Sequence, residues 1–340
     1  MNSSATIRLH IGNAIPPGNE NATNDIIALW QEMAGYFTQR HFVSRHDTDI
    51  RSEARPYQIT LNISQLLQTL KDAVSESGSF ALHRQAHVDN ADITLGGELT
   101  VTITSKNREL AEEESYQVAT AFIQQLIMAA NIACPGSMQI LDARFVGEGA
   151  HRYEAQYYDA KTFHGAHKAA VENNWPKLEK PSFEKVWDWL ESCEVSQTYT
   201  AIKNINKVLF TLLKVAEQRH DYSARTVLLI MYQIEMLLDC RQSNSLDLIR
   251  DRTRLILGDI PEAADCLREL YEVRYQLFMG AHPVHPPPLI CHTTESALRE
   301  QLAQHNSAVE SGTALVLKLL QDLIAHNAYG YSFTQSFTRN

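Results

Sequence analysis

Apolar and polar positions change their rhythm partway along the chain, and that change divides it. In the first part, Ile26, Ile27, Leu29, Trp30, Met33 and Phe37 recur at helical spacing and predict an amphipathic helix over Asn21–Phe37. Arg40–Arg55 is charged and ends at Pro56, so it reads as a loop, and the rest of residues 1–56 carries no clear assignment. Tyr57–Ile63 alternates as a half-buried strand does. A short helix is expected over Leu66–Val74, then two strand-like runs on either side of Gly96-Gly97 within Ala91–Ile103. Val118, Ala121, Phe122, Leu126, Ile127 and Ala130 stripe a helix over Glu113–Ile132, which Cys134-Pro135-Gly136 closes. Met138–Phe145 is a further strand candidate.

From Ser182 onward the pattern is helical. Val186, Trp187 and Trp189 mark a short helix over Phe183–Leu190. Ile202 through Ala216, Ser223–Cys240 and Leu246–Leu257 give three more, the last stopped by Gly258. Pro261 suits a helix start, and the helix it opens is expected to run to Met279. Pro286-Pro287-Pro288 enforces an extended linker before a long helix over Thr293–Ala325. The expected organisation is an α+β domain over residues 1–160, a polar linker over 161–181, an all-α bundle over 182–328 and a loose tail over 329–340.

Composition changes this picture little. At 340 residues, 44% apolar and 21% charged, the chain is long enough for two cores and is not of the disordered class. No run of 18 apolar residues is present and the N-terminus lacks a secretory pattern, so no membrane partner and a cytoplasmic location are expected. Five scattered cysteines without a CxxC pair point to reduced thiols rather than disulfides or zinc. A net charge of −10 disfavours non-specific duplex binding but leaves room for a small arginine-built RNA site. There is no phosphate loop, HExxH or dense carboxylate cluster, so neither a cofactor nor a metabolic reaction is indicated. His164 and His167 read as members of a polar loop. His282, His285 and His292 read as exposed histidines of a proline-rich segment, no further ligand completing a metal set in either group.

The candidate chemistry lies in Leu267–Pro283. Arg250, Arg252, Arg254, Arg268 and Arg274 alternate with acidic residues, which is the pattern of a solvated face with local ion pairs. Arg274 stands apart because apolar residues follow it closely. An arginine near a core needs an acceptor, and Glu235, between Ile234 and Met236, is the candidate structural partner. Tyr271 and Tyr275 offer rings for base stacking, although four-residue spacing is also ordinary helix packing.

Tyr232–Leu238, Arg250–Leu257 and Leu270–Gly280, in this order and spacing, resemble the HEPN helical-bundle superfamily, closest to its ApeA-like branch of bacterial anti-phage defence proteins. The resemblance covers about residues 183–325. It implies a metal-independent endoribonuclease assembled as a homodimer, with an arginine and a following histidine facing RNA across the dimer cleft. In that scheme Arg274 holds the scissile phosphate while the histidine moves protons at the ribose 2′-OH and the leaving oxygen, producing a 2′,3′-cyclic phosphate. Arg268, Tyr271, Tyr275 and His285 then become candidate substrate contacts.

The chain departs from the family pattern where it matters most: Met279 occupies the place of the motif histidine before Gly280, and methionine transfers no proton. His282, separated from the arginine by seven intervening residues and with Pro283 behind it, is the candidate replacement, and His285 a more distant one. Two readings therefore stand side by side. One is a HEPN-like protein that binds or cuts RNA. The other is a catalytically inactive dimerisation module whose N-terminal domain senses a small ligand or a protein partner.

Overall fold

A computed structural model describes residues 4–12, 20–38, 40–45, 54–75, 96–105, 110–146, 157–217, 224–240, 245–282 and 296–334. The chain forms two compact units. The first comprises Met1–His164, Lys180–Ala201 and Ala216–Arg219; the second comprises Gly165–Glu179, Ile202–Val215 and His220–Asn340. The chain thus passes between them more than once, where a single linker over 161–181 was expected.

The first unit is built on β1 (Ser4–Gly12), α1 (Glu20–Phe37), β2 (His41–Ser44), β3 (Arg55–Asn62), α2 (Ser64–Ser75), β4 (Gly96–Thr104), α3 (Glu112–Ala133) and β5 (Gln139–Val146). The strands form one sheet in the order β2-β3-β4-β1-β5, with every neighbouring pair antiparallel. β4 lies between β1 and β3, and β1 lies between β4 and β5. Of the three β-α-β excursions, β1-α1-β2 is split by β3 and β4 and β4-α3-β5 by β1, whereas β3-α2-β4 joins paired neighbours. Period-two alternation turns Ile7, Leu9, Ile11, Tyr57, Ile59, Leu99, Val101 and Ile103 into the core and leaves Arg8, His10, Gln58, Thr60, Asn62 and Arg144 exposed.

In this unit one strand was not foreseen and three sequence expectations fail. β1, which had no assignment, is a central strand: its alternation at 7, 9 and 11 is present but short, and its worth depends on two distant partners. β2 lies inside the expected Arg40–Arg55 loop, because Phe42 buries opposite Tyr57. Gly96-Gly97 begins a strand instead of forming a turn, since Leu66 of α2 lies so close that a Cβ on Gly97 would sit 2.8 Å from its Cα. The strand-like run expected at 91–95 lies outside the described residues. α5 (Phe183–Ser192), expected in the bundle, belongs to the first unit, where Phe183 and Trp187 close an aromatic cluster with Phe37, Phe42 and Phe122.

The polar stretch around His164 and His167 is a helix, α4 (Lys161–Glu172), where a loop was expected. Its alternating polar and small residues hide the period, although Phe163, Ala166, Ala169 and Ala170 are buried.

The second unit is helical: α6 (Asn204–Ala216), α7 (Ala224–Leu237), α8 (Leu246–Leu257), α9 (Leu267–Phe278) and α10 (Ser296–Ala325). Ser245 caps α8 by accepting from the Leu248 N–H at 3.1 Å, and Gly258 ends it. Ile202, expected on the apolar face of α6, lies before that helix and is exposed. Pro261 opens only a 3-10 turn over Glu262–Ala264, and α9 begins afresh at Leu267, so the expected continuous helix is broken. Residues 329–334, assigned to a loose tail, are tethered. The Tyr331 hydroxyl donates to the Leu319 carbonyl at 3.0 Å, and the Phe333 ring lies 4.4 Å beneath the Arg252 guanidinium.

α7, α9 and α10 pack on one another at Gly312 of α10. A Cβ there would lie 2.8 Å from Ile230 Cγ2 of α7 and 2.8 Å from Leu270 Cδ1 of α9, both fully buried. The β-branched isoleucine cannot swing aside. Gly312→Ala is expected to cost about 1–3 kcal/mol through overpacking, read as a lower urea midpoint. A midpoint equal to wild type contradicts so close a three-helix junction.

Candidate functional site

Helix α9 owes its position to one buried stripe, Leu267, Leu270 and Val273. At about 100° per residue, Glu269 and Arg274 fall about 140° apart and flank this stripe on opposite sides. Arg274 is turned to α7, where its Nη1 lies 2.8 Å from Glu235 Oε1. Both side chains are largely buried, at 18% and 11% exposure. The contact is one of charge at close range and not an aligned hydrogen bond, because Glu235 Oε1 receives no N–H in bonding geometry. Burial pushes the Glu235 carboxyl up, and Arg274 pulls it back only in part. The guanidinium also lies over the rings of Tyr271 and Phe278, at 5.8 and 5.7 Å.

His282 has different company. Met279 caps α9, and Gly280 follows at φ +69°, the left-handed conformation that glycine adopts most readily. The Ala281 and His282 N–H groups then both donate to the Gln276 carbonyl, at 2.9 and 3.2 Å. That turn carries the His282 ring onto His305 of α10, with centroids 5.4 Å apart and planes 24° from parallel. Burial pushes His305 down, His282 adds to the shift and Glu269 opposes it. The two candidate catalytic residues are thus engaged by different helices, Arg274 by α7 and His282 by α10.

Of the candidate substrate contacts, Arg268 is exposed, Tyr275 is 54% exposed and Tyr271 is half-buried, while His285 lies outside the described residues. The other arginines face acceptors within the chain. Arg250 pairs with Asp265; Arg252 donates to the Leu238 and Asp239 carbonyls at 2.6 and 2.7 Å, closing the end of α7; Arg254 lies 3.9 Å from Asp251. Charge that looked available for phosphate is therefore largely spent on structure. Burial pushes the Cys134 and Cys266 thiols up to about 11 and about 12, which disfavours the thiolate a nucleophile needs.

Sequence reading did not single out His305 or Glu269. A signal existed for His305: it stands between Leu302 and Val309, inside the apolar stripe of α10, where a polar ring needs a reason. Around Met279 the surface is apolar, with Phe278 74% and Met279 64% exposed beside Tyr275. Among the described residues, no helix is long and apolar enough to cross a membrane. No protein-family profile, curated protein or solved structure matches this chain.

Proposed function

We propose that the second unit is a HEPN-like bundle of the ApeA-like kind that works as a self-associating interaction module and has lost the ribonuclease chemistry of that superfamily. The observation that carries this reading is the Arg274–Glu235 contact at 2.8 Å. A guanidinium facing a largely buried carboxylate is half-neutralised before any phosphate approaches, and extracting it would leave Glu235 buried without its cation. Met279 in place of the motif histidine points the same way. The partner is a second copy of this chain, seated on the outward stripe of α9. Tyr275, Phe278 and Met279 are exposed there with half-buried Tyr271 beside them, and a two-fold interface needs one such self-complementary patch. In this reading the first unit is the sensing domain, and the exposed polar face of its sheet is the surface for a ligand or protein.

The test combines light scattering with an RNA assay. Wild type is expected to be a dimer and Phe278→Glu a monomer of unchanged helicity, since Phe278 is 74% exposed. Mixed tRNA and structured RNA incubated in EDTA are expected to stay intact. Cleavage that disappears in both Arg274→Ala and His282→Ala would overturn the reading in favour of a ribonuclease using His282.

A further inference from the structure

The stacked His282–His305 pair is not needed to seat α9, whose buried stripe does that, and the HEPN-like reading does not account for His305. Among the described residues no three metal-ligating side chains gather there. The stacked geometry suits a proton-controlled contact. His305 is only 6% exposed, and His282 Nδ1 is buried without a hydrogen-bond partner. Charged imidazolium donates from both nitrogens and therefore needs acceptors that are scarce there. Glu269 of α9 is the acidic group facing His305. Glu235 of α7 is engaged by Arg274, and on α10 itself Glu310 sits beside Gly165 of α4. One carboxylate can balance one imidazolium but not two.

We propose that the His282–His305 stack is a pH-sensitive clasp that holds the Gly280 turn, and with it the C-terminal end of α9, against α10 at neutral pH and releases it in mild acid. The clasp governs the stripe through which the bundle is proposed to self-associate, and in that respect rests on that reading. The sign follows from His305: its folded-state pKa lies below the unfolded value, so the unfolded or detached form binds the proton better. The contact is complete above about pH 6.5 and weakens as pH falls through that value toward the depressed one.

Amide hydrogen exchange at Ala281 and His282, whose N–H groups bond the Gln276 carbonyl, reads the clasp directly. After correction for the intrinsic pH dependence of exchange, wild-type protection is expected to fall about tenfold between about pH 7.5 and about pH 5.5. His305→Phe keeps a flat buried ring without a titrating group and should abolish the fall; His282→Phe leaves the buried His305 titrating and should shrink the fall without abolishing it, and carries the test alone if His305→Phe does not fold. A flat wild-type profile overturns the proposal, as does a fall that persists in folded His305→Phe or is undiminished in folded His282→Phe. Light scattering at both pH values separates the two readings. Dimer loss in acid by wild type but not by His305→Phe supports the coupling. A chain monomeric at both pH values defeats the association reading, while the clasp is still judged by exchange.

Discussion

Trp187→Ala is expected to destabilise the first unit by about 3–5 kcal/mol, the largest effect of any single truncation proposed for this chain. Trp187 is fully buried, its ring centroid is 4.8 Å from that of Phe37, and it meets Phe42, Phe122 and Phe183 as well. These rings come from α1, β2, α3 and α5, so the cavity left by truncation opens where four elements meet and no single one can relax to fill it. A second loss adds to the first. The indole N–H donates to Glu191 at 2.9 Å, and this bond opposes the upward push that burial gives that carboxyl. Urea unfolding followed by near-ultraviolet circular dichroism measures the effect. A loss below about 1 kcal/mol, the range of ordinary surface substitutions, would mean that the cluster is not the centre of this core.

Arg274→Met is the second large effect, expected at about 3 kcal/mol near neutral pH, the low end for breaking a buried ion pair from one side. Its pH dependence distinguishes a structural arginine from a catalytic one. The folded-state pKa of Glu235 is raised, so its charged form opposes folding, and that cost appears as pH rises above the ordinary carboxylate range. Arg274 offsets part of the cost. Without it the carboxyl rises further, so the penalty of Arg274→Met is small at about pH 4.5 and grows toward neutrality. Because wild type and variant are compared at equal pH, the opposite trend from His305 cancels. Glu235→Leu with Arg274→Met, which replaces both charges by apolar groups, is expected to recover most of the stability. A penalty independent of pH, or a double variant no better than the single one, would show that Arg274 does not serve Glu235.

The two effects differ in how far the residues announce them. The α8 range Leu246–Leu257 and its Gly258 stop are legible because a serine cap, a periodic stripe and a glycine act within one short segment. α1, α3, α7 and α10 are legible for the same reason, and so is the coarse order of a small antiparallel sheet followed by helices. β1 and β2 are not, because a strand of four to nine residues is specified by partners elsewhere in the chain. α4 and the placement of α5 are likewise decided by packing. The residues that carry the candidate site follow the same division. Arginine near apolar neighbours, the missing motif histidine and the turn at Gly280 can be read along the chain, since each depends on residue type and local spacing. Glu235 could be named from the sequence as a candidate partner for Arg274, but that the two meet, and that His282 stacks on His305, depends on how α7 and α10 pack around the narrow buried stripe of α9. Local pattern determines which helices form and which face is apolar. The neighbours of a charged side chain at the edge of that face are set by long-range packing, where burial and charge pairing are decided together.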